Sequence, residues 1–268
     1  MQTHINRRKC GFTLLETVIA IGVLAVLLTG FMVVFAPAAD GIRKSINVQQ
    51  ADRMASALEQ ELVTLKSGEK SVEIATGFDK AFFGIRDSTG PTHNGADAGP
   101  PENALLVYQY RGSISEKRPD DGTPKPVKAV SSSIPGKDYI VCSVMRTRKD
   151  TKLLEDLEAV EGGVYLVKCV QLVFENGALQ QIDQTDKSLR GKIKNPKPNS
   201  SPPDPNYKPG PFDKPLDYPE AVIAFSAEFY SVPNKSSSFF KIGSGSKFDA
   251  YYAKAIKPVF IRNLAVRR

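Results

Sequence analysis

The chain has 268 residues, of which 41% are hydrophobic and 24% are charged, enough for one domain of ordinary size with an appendage or for two small domains. This composition excludes a wholly disordered or collagen-like chain. The net charge is +7, but Arg7, Arg8 and Lys9 supply three of the cations at the extreme amino terminus, so the rest of the chain is too weakly basic to indicate a nucleic-acid-binding protein. Only two histidines occur, which disfavours a catalytic triad, a histidine-rich zinc site and enzymes in general.

A long apolar segment begins close to the amino terminus. Residues 12–36 contain glycines, threonines, many aliphatic residues and a single charge, Glu16. As an α-helix this segment would span about 37 Å, which exceeds the roughly 30 Å of a hydrocarbon core. Because cations beside a spanning segment stay in the cytoplasm, we expect a single-pass membrane protein with its amino terminus inside.

Three plainer interpretations of this segment compete: a cleavable signal peptide, an ordinary membrane anchor and a buried core helix. A signal peptide has a shorter apolar region without a carboxylate at its start, although the small residues at 36–39 leave this alternative open. A core helix of this length would show a polar face. An ordinary anchor explains the length and the flanks but leaves Glu16 unexplained.

Residues 9–16, Lys-Cys-Gly-Phe-Thr-Leu-Leu-Glu, resemble the prepilin leader junction of type IV pilins and of the pseudopilins of type II secretion. The resemblance covers residues 7–36, and it is specific because glycine, phenylalanine and glutamate must fall in fixed register before an apolar helix. It implies that prepilin peptidase cuts after Gly11 and that Phe12 becomes the N-methylated first residue. The implied partners are that peptidase, other pilin or pseudopilin subunits, and an inner-membrane assembly platform.

Glu16 is the residue that we expect to act in assembly. A carboxylate inside hydrocarbon costs of order a few kcal/mol and persists where it meets a partner. Cleavage after Gly11 would create such a partner, an α-amino group one helical turn away whose ordinary pKa is about 8. The amine of a neighbouring, staggered subunit would then neutralise Glu16. In the alternative, Glu16 reaches back to the headgroups from a plain anchor.

The remainder of the chain predicts an α+β, pilin-like fold. From Ile42 onward, apolar residues recur at three- and four-residue steps until Ser67-Gly68, which indicates an amphipathic helix after a break at Pro37 and Gly41. We therefore divide the chain into a leader, a transmembrane or filament-core helix, an amphipathic continuation and a β-rich periplasmic head, at residues 1–11, 12–36, 37–67 and 68–268. The helix should pack against an antiparallel sheet.

Runs of β-branched and aromatic residues predict the strands of that sheet, at residues 104–110, 139–145, 164–174 and 221–230. A hairpin turn at 175–178 should lead to a return strand ending at Ile182. The segment 250–262 alternates like a half-buried edge strand, so we do not expect its tyrosines to bind nucleic acid. Residues 185–220 hold nine of the nineteen prolines and predict an extended insertion that buries little apolar area.

Cysteines and acidic loop residues offer the remaining candidate sites. Cys10 would leave with the leader, and Cys142 and Cys169 lie in predicted strands on the oxidising side of the membrane, where they form either a disulfide or two buried thiols. We expect no cofactor and no metal. Calcium is a weaker alternative in the loop that carries four oxygen-bearing side chains, Asp87, Asn94, Asp97 and Glu102.

The favoured function is a structural subunit, resembling a minor pseudopilin, of a filament for protein secretion. The mass of the head and its proline-rich insertion would crowd a densely packed shaft, which favours a low-copy subunit over an abundant one. A membrane-anchored pilin for adhesion or DNA uptake is the alternative, and an anchored enzyme is a third class for which the sequence names no substrate.

Overall fold

The structure of the protein is a computed structural model. It describes residues 13–66, 69, 71–87, 101–128, 132–175, 177–182, 193–197, 205–243, 245–254 and 257–268. The chain divides into two compact units, Met1–Ile46 and Asn47–Arg268. The first consists of helix in its described part, and the second contains the sheet and the remaining helices.

Helix α1 runs from Leu14 to Val63 and contributes to both units. It continues through Pro37 and Gly41, so the break predicted there is wrong. A proline removes one backbone N–H from the helical ladder, and here the hydrogen bonds on either side maintain the helix. The helix ends four residues before the predicted stop at Ser67-Gly68, and those two residues lie outside the described part of the chain.

The described residues form a sheet of seven antiparallel strands, which confirms the predicted α+β fold with a long amino-terminal helix. The strands are β1 (Leu105–Lys117), β2 (Pro124–Pro126), β3 (Ile140–Thr147), β4 (Val160–Glu175), β5 (Ala178–Gln181), β6 (Val222–Ser231) and β7 (Phe260–Arg267). They are ordered β2-β1-β4-β6-β7, with β3 also paired to β1 and β5 to β4. The predicted hairpin is confirmed because Glu175 pairs with Ala178.

One face of the sheet packs against the second part of α1. Buried side chains of α1 recur at helical spacing, and they join a single apolar core with β1, β4, β6 and β7; those of α1 are Ala51, Met54, Ala55, Leu58 and Leu62. Helix α2 (Gly77–Asp87) adds Phe78 and Phe82 to the same core. Its start is fixed by Thr76 and Asp79, whose side chains each accept a hydrogen bond from the other residue's backbone N–H.

The opposite face of the sheet is covered by three short helices, α3 (Lys152–Leu157), α4 (Ser237–Phe240) and α5 (Lys247–Lys254). Helix α5 occupies part of the segment predicted as an edge strand, and among the described residues of that segment β structure begins at Phe260. Phe248 and Tyr252 lie one helical turn apart and stack at 6.1 Å. Both side chains are buried against α4, and this packing favours a helix. The alternation of residue types over so few positions was compatible with either a strand or a helix.

The proline-rich insertion also differs from its prediction. Ile193 and Phe212 are buried in the core beneath α1, and each donates its backbone N–H to the other's carbonyl oxygen. The side-chain amide of Gln171 on β4 makes two further hydrogen bonds with the backbone of Lys194, at 2.7 and 2.9 Å. The described parts of the insertion are therefore attached to the sheet, because isolated apolar residues among the prolines find places in its core.

Candidate assembly site

The first turn of α1 forms a closed polar arrangement around Glu16. Its carboxylate accepts hydrogen bonds from the backbone N–H and the hydroxyl of Thr13, at 3.3 and 3.2 Å. In return, the backbone N–H of Glu16 donates to the Thr13 hydroxyl oxygen at 3.3 Å. This reciprocal pattern is a capping box, which satisfies donors that a helix otherwise leaves without partners at its amino end.

The described residues of the first unit after Glu16 present mostly apolar side chains to the surroundings of the chain. Every described side chain from Thr13 to Phe35 is exposed, and the hydroxyl of Thr29 donates to the Ala25 carbonyl oxygen within the helix at 2.8 Å. Helix α1 contains a stretch that is long and apolar enough to cross a membrane. Such a surface is suited to lipid or to a bundle of like helices, because its own polar groups are satisfied internally.

The other residues of the predicted maturation site cannot be placed beside Glu16. Gly11 and Phe12 lie outside the described residues, and so does Cys10. Their assignment as the cleavage and methylation positions therefore stays a prediction. The geometry that the structure does give is that Glu16 lies in the first turn of the helix and that Thr13 holds its carboxylate.

The disulfide between Cys142 and Cys169 is not formed, which corrects that alternative. Cys142 lies on β3 opposite Tyr110 of β1, and Tyr110 lies opposite Val160 of β4, so Cys169 is farther along β4 by roughly 30 Å at ~3.3 Å per residue. The two side chains also belong to opposite faces of the sheet. A disulfide requires Cα atoms within about 7 Å, so the sheet register excludes it.

The calcium alternative finds no support in the described part of the loop. Asn94 and Asp97 lie outside the described residues, and Asp87 accepts a hydrogen bond from Arg86 at 2.7 Å. Among the residues that the structure describes, no three His, Cys, Asp or Glu side chains are grouped so as to hold a metal.

A buried ionic network in the head was not predicted from the sequence. Asp156 of α3 is fully buried and accepts hydrogen bonds from Arg118, Arg146 and the Tyr108 hydroxyl, at 2.7, 2.6 and 2.8 Å. Asp121 completes the group through Arg146, at 3.2 Å. We call these five residues the Asp156 network. No motif marks it, because its charges are far apart in the chain and resemble ordinary surface charges.

The surroundings of Asp121 and Arg146 in the Asp156 network favour the charged form of each side chain. Burial would raise the pKa of Asp121, but hydrogen bonds from Thr123 and the neighbouring Lys152 and Arg146 lower that pKa well below its usual range. Burial likewise acts to lower the pKa of Arg146, and Asp156 more than reverses this. The hydrogen bonds and ion pairs of the network join β3, α3 and the segment that follows β1.

Lys168 of β4 is a buried lysine whose surroundings change its pKa. Its ammonium lies 4.8 Å from the ring centre of Tyr230 and 5.4 Å from that of Tyr252, and Glu228 is its cross-strand neighbour. Burial lowers the pKa of Lys168 to about 8, against the raising effect of Glu228. Tyr230 donates its hydroxyl to Glu228 at 2.7 Å, which competes for that carboxylate.

This lowered pKa predicts a pH-dependent stability. In the unfolded chain the pKa of Lys168 returns to 10.5, so the folded protein releases a proton first and its free energy of unfolding rises between pH 8 and pH 10. We expect this rise to be about 2 kcal/mol larger in the unsubstituted protein than in Lys168→Met, as judged from denaturant unfolding at both pH values. Equal pH dependence in the two proteins would contradict the burial of a charged amine.

Comparison with known proteins identifies the amino-terminal segment. Residues 6–32 match the family described as the prokaryotic N-terminal methylation motif. No curated protein and no solved structure matches the chain. The matched residues include Glu16, its capping partner Thr13 and the apolar start of α1, and this motif points to a structural subunit rather than an enzyme. The methylation motif, the long amino-terminal helix and the antiparallel sheet together support a type IV pilin- or pseudopilin-like protein.

Proposed function

We propose that the protein is a minor pseudopilin-like subunit that is stored in the inner membrane and assembles into a periplasmic filament for protein secretion. The observation that carries the proposal is the methylation motif at residues 6–32, placed directly on an apolar helix whose one early charge is Glu16. Prepilin peptidase would cut after Gly11, and Phe12 would be methylated. The amino terminus faces the cytoplasm, and the head faces the periplasm.

Assembly would move Glu16 from its contacts within a single chain to a contact with an adjacent subunit. In the single chain, Thr13 supplies two hydrogen bonds to the carboxylate, but it supplies no positive charge. An unpaired carboxylate is costly in an apolar medium, and a protonated amine with suitable geometry offsets that cost. The amino terminus of an adjacent subunit, staggered along the filament, would provide this amine. The interaction would set the register between subunits while the apolar surface of α1 packs against like helices.

The head supports a low-copy position in the filament. The second unit extends from Asn47 to Arg268, and it includes an insertion attached to the sheet through Gln171 and Ile193. Such a head occupies much space around each helix, which suits a terminal or interspersed subunit better than a densely packed shaft. Salt-sensitive DNA binding by the full chain would instead favour the alternative of a DNA-uptake pilin.

Mass spectrometry of the protein extracted from membranes tests the maturation step. In cells with an active prepilin peptidase, we expect a chain that begins at Phe12 and carries one added methyl group. Gly11→Val should leave most of the protein uncut, because the larger side chain blocks the position where the peptide enters the peptidase.

Cys10→Ser provides the matched control, since it alters the neighbouring leader residue that is removed in either case. This variant should mature like the unsubstituted protein. A chain that still begins at Met1 when the peptidase processes other substrates would overturn the proposal.

A further inference from the structure

The final strand of the sheet, β7, has an open edge. It pairs with β6 without a shift in register from Phe229–Phe260 to Val222–Arg267. The backbone N–H of Arg268 donates to Ala221 of the neighbouring segment at 2.8 Å, which sets the alternation of the ladder. The backbone groups of Asn263, Ala265 and Arg267 therefore point away from β6. Within the described parts of the chain, no strand other than β6 pairs with β7.

The opposite edge of the sheet, at β3, is partly protected by α1, whereas the edge at β7 is open. The backbone N–H of Met145 on β3 donates to the Glu61 carboxylate of α1 at 3.4 Å. Proteins generally protect exposed edges by short strands, bulges, prolines, charged side chains or covering elements. Strand β7 is eight residues long, contains no proline and shows no bulge in its paired register.

Charge limits what this edge can accept. Residues 257–268 contain four cations and no acid: Lys257, Arg262, Arg267 and Arg268. Arg262 forms an ion pair with Asp52 of α1 at 3.4 Å, and Arg268 donates a hydrogen bond to the Pro215 carbonyl oxygen at 2.6 Å. Arg267 is exposed and makes no ion pair with any residue that the structure describes. A second copy of β7 would place cations opposite cations, whereas an acidic strand would complement them.

We propose that the outer edge of β7 binds an extended, acidic segment of a different protein by strand addition. Backbone groups of Asn263, Ala265 and Arg267 form the ladder with the added strand, which supplies affinity independent of side chains. Arg267 contacts an acidic residue of the partner, and the side chain of Ile261, 51% exposed, contacts an apolar one. This interaction extends beyond the proposed assembly function, because it uses the head and requires neither cleavage nor Glu16.

Amide hydrogen exchange on the full chain in detergent micelles tests the inference. The probe is a synthetic ten-residue peptide in which glutamate alternates with valine, and the comparison peptide carries lysine in place of glutamate. At saturation with the acidic peptide, we expect the amides of Asn263, Ala265 and Arg267 to exchange at least tenfold more slowly. The amides of Leu264 and Val266, which already face β6, should not change.

Two variants separate strand addition from simple charge attraction. Ala265→Pro removes an N–H that points away from β6, so the ladder to β6 remains, and affinity for the acidic peptide should fall at least tenfold. Arg267→Glu should reverse the preference between the two peptides. Lys137→Glu, which alters an exposed cation outside β7, is the matched control and should bind like the unsubstituted protein.

Three outcomes would overturn the inference. They are unchanged exchange at the outward amides of β7, equal binding of the acidic and basic peptides, and a dimer of the chain that joins two β7 edges. None of these measurements depends on maturation or filament formation. A negative result would therefore contradict the strand-addition inference without contradicting the proposed assembly function.

Discussion

Glu16→Gln should reduce incorporation of the protein into filaments at least tenfold, while cleavage after Gly11 continues. Glutamine retains the shape of the side chain and its ability to accept hydrogen bonds from Thr13, but it removes the negative charge that a neighbouring amine would neutralise. The measurement is the ratio of filament-bound to membrane-bound protein after shearing and ultracentrifugation.

Asp40→Asn is the matched control for this substitution. Asp40 lies on the same helix, its side chain is 80% exposed, and its 3.9 Å contact with Arg43 is worth little in an exposed pair. This variant should incorporate normally, and Glu16→Asp should recover part of the loss. Normal incorporation of Glu16→Gln would contradict this role and would mean that the first unit acts only as a membrane tether.

Asp156→Asn should lower the free energy of unfolding of the head by roughly 3 kcal/mol, a large fraction of the stability of a typical domain. The substitution leaves Arg118 and Arg146 buried with less opposing charge. Their remaining carboxylate partners keep the loss from being larger: Glu155 lies 3.0 Å from Arg118, and Asp150 and Asp121 lie 2.9 and 3.2 Å from Arg146. Denaturant unfolding of the full chain in detergent, followed by near-ultraviolet circular dichroism, measures the change.

Glu155, an exposed partner of Arg118, supplies the control. Glu155 also bonds Arg118, but its side chain is 63% exposed, so Glu155→Gln should cost less than about 1 kcal/mol. Equal losses for the two variants would mean that burial does not determine the strength of the Asp156 network. Filament assembly should be affected by Asp156→Asn only to the extent that less folded protein is present.

Features of the sequence with a strict local period were predictable. The register of Gly11, Phe12 and Glu16 before an apolar run indicated the methylation motif, which comparison with known families confirms over residues 6–32. Runs such as 164–174 are long and rich in β-branched residues, and they form strands because both sheet faces are covered there. The fold class followed from one long helix and several such runs.

Features that depend on distant contacts were not predictable. The Asp156 network joins residues from β1, β3 and α3 whose charges look like surface charges in the sequence. Cys142 and Cys169 lie in neighbouring regions of sequence, but the register of β1 with β3 and β4 separates them. Ile193 and Phe212 enter the core from a proline-rich segment whose average composition indicates exposure.

The most direct test of the account is the distance between the Glu16 carboxylate and the amino terminus of an adjacent subunit. Filaments would be assembled from this chain labelled with ¹³C in glutamate and from the other filament subunits labelled with ¹⁵N, so that any close pair of labels lies between subunits. Solid-state NMR dipolar recoupling should place the Glu16 carboxyl carbon within about 4 Å of the amino-terminal nitrogen of the adjacent subunit, the range of an ion pair. Absence of recoupling at that range in intact filaments would contradict the account.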